Sequence, residues 1–167
     1  MGKKARKLGE PVKKGIAKTP VAMQMEMLEC GAACLTMILH YYGNFAPLEQ
    51  VRIDCGVSRD GSNAKNIVKA ARYYGMDVSA FRMEPEALRN NGTFPCIIHW
   101  NFNHFVVCNG FKGNKVFLND PGRGAVSVSL EEFDEAFTGI CIIPVPSKDF
   151  KPNGKKKNYY CASFVNH

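Results

Sequence analysis

One stretch constrains this chain more than any other: Gln24 to Gly43, reading QMEMLECGAACLTMILHYYG. From Cys30 the apolar residues recur at Ala33, Cys34, Met37, Ile38 and Tyr41. That is the i, i+3, i+4, i+7 spacing of a helix with one buried face. Gly43 is placed to end the helix, because glycine adopts the left-handed conformation of a C-cap without steric cost. Cys30 therefore opens the helix, where free backbone N–H groups and the positive end of the dipole lower a thiol's pKa and favour the nucleophilic thiolate. Gln24, six residues earlier, supplies a side-chain amide that can donate to the oxyanion formed in acyl transfer.

Two later positions complete a set. His104 begins the strand-like run HFVV, and Asp120 closes another strand before Pro121-Gly122. Gln, Cys, His and Asp, in that order, provide an oxyanion donor, a nucleophile, a base and a group to orient the base. His40 reads as a surface or packing residue on the helix. His99 is five residues before His104, so the two point to opposite sides of an extended chain. Without His104, Asp120 before Pro-Gly would read simply as a turn former.

On Gln24, Cys30-Gly31-Ala32-Ala33-Cys34-Leu35, Tyr42-Gly43, His104-Phe105-Val106-Val107 and Asp120-Pro121, the chain resembles the bacteriocin-processing cysteine peptidases. These are the N-terminal domains of ABC transporters that mature and export peptides with double-glycine leaders. The resemblance runs from about Gln24 to Pro146. It departs at Glu29, where the family usually has Asp, and the transporter part is missing. It implies a papain-like α+β fold, with N-terminal helices on a C-terminal antiparallel sheet and Cys30 facing His104 and Asp120 across a cleft. It also implies an endopeptidase that removes the leader after a Gly-Gly or Gly-Ala pair, using Cys30, His104 and Asp120 as catalytic residues and Gln24 in the oxyanion hole. The implied partners are a precursor peptide with an amphipathic helical leader and the transmembrane and nucleotide-binding domains of a parent exporter. The implied place is the cytoplasmic side of a bacterial membrane. The alternative is a noncatalytic leader-binding module, as in relatives that have lost the cysteine.

Substrate contacts are expected at Trp100, Asn103 and Met27. An indole beside the nucleophile would wall a cleft that admits glycine only, while Trp100 read as core would not. Met23, Met25 and Met27 alternate before Cys30 and read as adaptable core filler, against a second reading as a surface for apolar peptide side chains.

The net charge is +7, but it is unevenly placed. Residues 1–20 hold seven Lys/Arg and one Glu, and residues 148–167 hold five Lys and one Asp, leaving 21–147 at −3. A basic groove for nucleic acid is not expected on such a body. Residues 1–20 read as a flexible basic arm, 21–147 as the peptidase domain and 148–167 as a basic linker or vector-derived tail. Seven cysteines without a CxxC pair or a signal peptide argue against a disulfide framework. Cys30 and Cys34 fall within zinc-ligand spacing, but no second Cys or His pair follows, so no metal is expected. No cofactor is expected either, since no P-loop or EF-hand occurs.

Between these landmarks the chain predicts a second helix from Pro47 to Cys55 and a third capped by Ser62 and ended by Gly75. Strands are expected from Asp77 to Met83 and then repeatedly after Gly92. A last helix is expected from Ser129, with Glu131 and Glu132 in its first turn.

Overall fold

The computed structural model describes residues 9–56 and 63–154. A single 3-10 turn, Met27–Glu29, runs into α1 (Cys30–Tyr42), followed by α2 (Leu48–Asp54) and α3 (Ala64–Tyr73). Then come β1 (Met76–Arg82), α4 (Pro85–Asn91), β2 (Cys96–Trp100), β3 (His104–Lys112), β4 (Lys115–Asp120), β5 (Gly124–Ser129), α5 (Leu130–Ala136) and β6 (Phe137–Pro146). The six strands form one sheet in the order β1-β6-β2-β3-β4-β5, with every neighbouring pair antiparallel.

Helix α1 is the centre of the molecule. Eleven of its thirteen residues are buried, so its one-sided spacing understates how completely it is enclosed. It ends as the sequence requires: Gly43 has φ +98°, and the Asn44 N–H reaches back to the Leu39 carbonyl at 2.8 Å. The sheet divides its side chains by strand alternation. Ile97, Phe105, Val107 and Ile142 pack with α1, α2 and α3. Cys96, Ile98, Val106, Cys108 and Leu118 form a second core with Leu88 of α4 and Phe133 of α5.

Three expectations change. The third helix is capped by Asn63, whose side chain accepts from the Asn66 N–H at 2.9 Å; Ser62 lies outside the described residues. Residues 9–20 do not lie free as an arm. Val12 pairs with Phe94, the Ala17 N–H bonds the Asn109 carbonyl at 2.8 Å, and Ala17 is buried. A buried amide chain holds the same segment, with Asn109 Nδ2 donating to Asn119 Oδ1 at 3.1 Å and Asn119 Nδ2 to the Thr19 carbonyl at 2.8 Å. Residues 148–154 also pack: Phe150 meets Tyr42 edge-on and the Phe45 N–H bonds the Asn153 carbonyl at 2.7 Å. Backbone pairing and burial outweigh the polar, lysine-rich composition in both segments. Residues 1–8 and 155–167 lie outside the described ones.

Candidate active site

Cys30 is the first residue of α1, and only 6% of it is exposed. The run from Cys30 through Ala33 uses small side chains, which lets α1 approach β3 closely. The approach brings the Cys30 thiol beside the His104 imidazole, close enough for each to shift the other's titration. His104 opens β3, and its Nε2 lies 2.8 Å from Asp120 Oδ1 at the end of β4. With Nε2 committed to the carboxylate, Nδ1 is the ring nitrogen left for the sulfur.

Asp120 is 5% exposed and heavily bonded. Besides His104, its Oδ1 accepts from the Gly122 N–H at 2.8 Å, and its Oδ2 accepts from Arg123 Nε at 3.1 Å. Burial pushes this carboxyl up, but the donors, His104 foremost, outweigh it and hold it below its ordinary value. Burial likewise raises the Cys30 thiol. Its hydrogen bond with His104, the Phe105 and Gly31 backbone N–H groups and the imidazolium charge bring it below its ordinary value. His104 is raised, first by its bond to Cys30 and then, against the cost of burial, by Asp120. The shifts oppose one another, which is the electrostatic signature of a thiolate–imidazolium pair. By contrast, burial drives the neighbouring Cys34 thiol well above its ordinary value, as for an inert core residue.

Gln24 is fixed through its backbone: its N–H donates to the Pro121 carbonyl at 3.0 Å, one residue past Asp120. Its Oε1 is buried without a hydrogen-bond partner. Glu29, which the sequence marks only as a departure from Asp, is 3% exposed and ties this segment down. Its Oε2 accepts from the Met25 N–H at 2.9 Å and the Glu26 N–H at 3.2 Å, while its Oε1 pairs with Arg52 Nη1 at 2.7 Å. A buried acid directly before a cysteine is a signal in itself, but its partner sits on another helix and no local pattern reveals it.

The expected substrate contacts divide. Trp100 is only 5% exposed and packs on Phe133 at 5.7 Å, so the indole belongs mainly to the second core and not to an open cleft wall. Asn103 is exposed and, with the edge of Trp100, His104 and Asp120, lines a cavity of about 620 Å³. Met23 and Met25 are 46% and 84% exposed, which overturns their reading as core filler. Met27 opens the 3-10 turn, and its side chain lies outside the described residues. His40 bonds the Ala46 carbonyl at 2.9 Å and His99 bonds Thr138 at 3.0 Å; neither is part of the Cys30–His104–Asp120 chain.

The chain is similar to known proteins. A family model described as the peptidase C39 family matches residues 18–149. The chain is 36% identical over 149 residues to the colicin V secretion/processing ATP-binding protein CvaB of Escherichia coli, covering 89% of this chain and 21% of that protein. It is 30% identical to the lactococcin-G-processing and transport ATP-binding protein LagD of Lactococcus lactis, covering 80% and 20%. The chain thus spans about a fifth of the length of these curated relatives. Among solved structures, a double glycine motif protease from an AMS/PCAT transporter, in complex with the leader peptide, is 64% identical. It superposes with a TM-score of 0.81 over 82% of this chain and 98% of that one. The peptidase domain of Streptococcus ComA, 24% identical with a TM-score of 0.72, shares the fold.

Proposed function

The chain belongs to the peptidase C39 family of cysteine peptidases, and we propose that it removes leaders from precursor peptides by cutting after a Gly-Gly or Gly-Ala pair. The observation that carries this reading is a buried Cys30 at the start of α1, beside a His104 whose Nε2 lies 2.8 Å from Asp120 Oδ1.

Cys30, as thiolate, attacks the carbonyl carbon of the second small residue. The carbonyl electrons move to oxygen, and the Gln24 amide together with backbone N–H at the start of α1 holds the oxyanion. Collapse breaks the C–N bond, and His104 passes its Nδ1 proton to the departing amine. A thioester remains on Cys30. Water, deprotonated by the now neutral His104, hydrolyses it and restores the ion pair. Asp120 keeps the imidazole oriented and stabilises its charged form.

A glycine pair offers few contacts, so affinity comes from an amphipathic leader helix laid on an apolar surface. Exposed Val21, Met23, Met25 and Leu28, immediately before the nucleophile, support a surface of that kind. The relatives' names, which join processing to secretion or transport and ATP binding, support a parent exporter with a nucleotide-binding domain; membrane-spanning domains and a peptidase on the cytoplasmic side complete the proposal. No helix among the described residues is long and apolar enough to cross a membrane.

The test uses a synthetic precursor fragment with the two glycines replaced in turn by Val, and separately with the leader's apolar face replaced by Ser. Glycine replacement is expected to stop cleavage while binding survives. Face replacement is expected to weaken binding. Efficient cutting after Val would refute the small-residue specificity, and binding without any turnover of the native fragment would establish the noncatalytic module instead.

A further inference from the structure

The Gln24 side chain is poorly suited to orienting itself. Its Oε1 is buried without a partner, so the amide is not anchored through its own oxygen. Its direction must be set by the backbone on either side. On one side the backbone is bonded to Pro121. On the other, the two residues that follow Gln24 both give their N–H groups to a single carboxylate oxygen, Glu29 Oε2. The loop between oxyanion donor and nucleophile is therefore folded back on itself by the residue directly before Cys30. The other oxygen of that carboxylate is paired with Arg52, on α2, so the loop is also referenced to a second helix. Burial alone would raise the Glu29 carboxyl, yet the two N–H groups and Arg52 keep it below its ordinary value, and it stays charged. A buried charge that accepts three hydrogen bonds has a defined position, unlike an exposed one.

We propose that Glu29 is a positioning residue of the oxyanion hole: its carboxylate, anchored by Arg52, fixes the Met25–Glu26 backbone and so sets where the Gln24 amide meets the developing oxyanion. This rests on the reading of Gln24 as oxyanion donor. Because oxyanion contacts exist in the transition state and not in the bound substrate, the effect falls on kcat and spares KM. Because Glu29 touches neither His104 nor the Cys30 sulfur, thiolate formation is spared as well.

The experiment combines steady-state cleavage of the synthetic precursor fragment with the pH dependence of Cys30 alkylation by iodoacetamide. The variants are Gln24→Ala, Glu29→Gln and the double substitution. A misplaced catalytic donor costs on the order of 10–100-fold. Glu29→Gln is expected to lose that much kcat, with KM within about twofold and the alkylation profile unchanged. In the Gln24→Ala background the same change is expected to cost less than about threefold, since residues acting as a unit are non-additive. Arg52→Gln, cut from a half-exposed side chain, carries the same test if Glu29→Gln fails to fold. It is expected to give the same kcat-only loss, about 3–10-fold, absent in the Gln24→Ala background. Equal losses in both backgrounds, or a parallel fall in alkylation rate, would overturn the proposal. Full kcat in Gln24→Ala would remove the premise about Gln24 itself, a result distinct from either.

Discussion

Replacing Asp120 by Asn isolates what the buried carboxylate contributes beyond shape. Asn keeps an oxygen for His104 Nε2 and for the Gly122 N–H, which bond the same oxygen at 2.8 Å each. It loses the charge, and it turns an amide toward Arg123, whose 59%-exposed side chain can move into water. A hydrogen bond with a charged partner is worth about 1.5–3 kcal/mol. At about 1.4 kcal/mol per decade, falling from that to the roughly 0.5–1.5 kcal/mol of a neutral hydrogen bond predicts a kcat lower by about 5–10-fold. His104 keeps its neighbour Cys30 and a neutral bond at Nε2, so the variant is expected to keep measurable activity. The pH profile gives the sign. The Cys30 thiol is held below its ordinary value and the His104 imidazole above its own, so the two limbs of the profile belong to the pair and not to either residue. Without the carboxylate's charge the imidazolium is less favoured, so the alkaline limb moves down in pH. On the acidic limb the imidazole is protonated throughout, and loss of a nearby negative charge does not disfavour the thiolate, so that limb stays or moves slightly down and the window narrows from the alkaline side. The assay is kcat for precursor cleavage from about pH 4 to pH 10, with iodoacetamide alkylation on the same samples. Unchanged kcat with unchanged limbs would show that Asp120 is only a turn residue. A loss as deep as that of His104→Ala would show that it does more than orient.

Cys30→Ala is expected to abolish cleavage and leave leader binding intact by calorimetry, and His104→Ala to be nearly as damaging because the two act as a unit. An alkylation midpoint near ~8.5, the value of an unperturbed thiol, would contradict the ion pair. Gly110→Ala tests the packing of residues 9–20. Its φ is +137° and a Cβ would lie 2.3 Å from the Gly15 carbonyl oxygen, so a loss of about 2–4 kcal/mol is expected by denaturant unfolding. Gly113→Ala, at φ +58° with nothing within 4 Å, is expected to lose only about 1 kcal/mol; equal losses would contradict the close approach.

The parts legible in sequence were those governed by local rules. Helix α1 and its glycine stop follow from spacing and backbone freedom, and Ser129 does accept from the Glu132 N–H at 3.1 Å. The strands after Gly92 follow from short β-rich runs between turn residues. What failed depended on partners far along the chain. Residues 9–20 looked like an arm because lysines interrupt their apolar residues, yet Val12, Ile16 and Ala17 find partners at Phe94, Gly110 and Asn109. Trp100 sits in a strand buried on both faces, and which face α5 covers is not written in β2. The two exposed methionines before Cys30 have a composition suited to core, and only the fold decides otherwise. Glu29 looked like a mild exchange for Asp because Arg52 lies 23 positions away.

The bond from Gln24 to Pro121 has an evolutionary consequence. Asp120 holds His104, Pro121 holds Gln24 and Glu29 holds the loop back toward α1, and none of these bonds passes through the Cys30 sulfur. The scaffold of the cleft is thus independent of the atom that does the chemistry. A chain that loses only the sulfur keeps these three bonds, so under the proposed function a single substitution would turn cutting of a peptide into merely holding it. The reverse path is just as short, so hydrolytic and purely receptive descendants of this fold can alternate without rebuilding anything but one side chain.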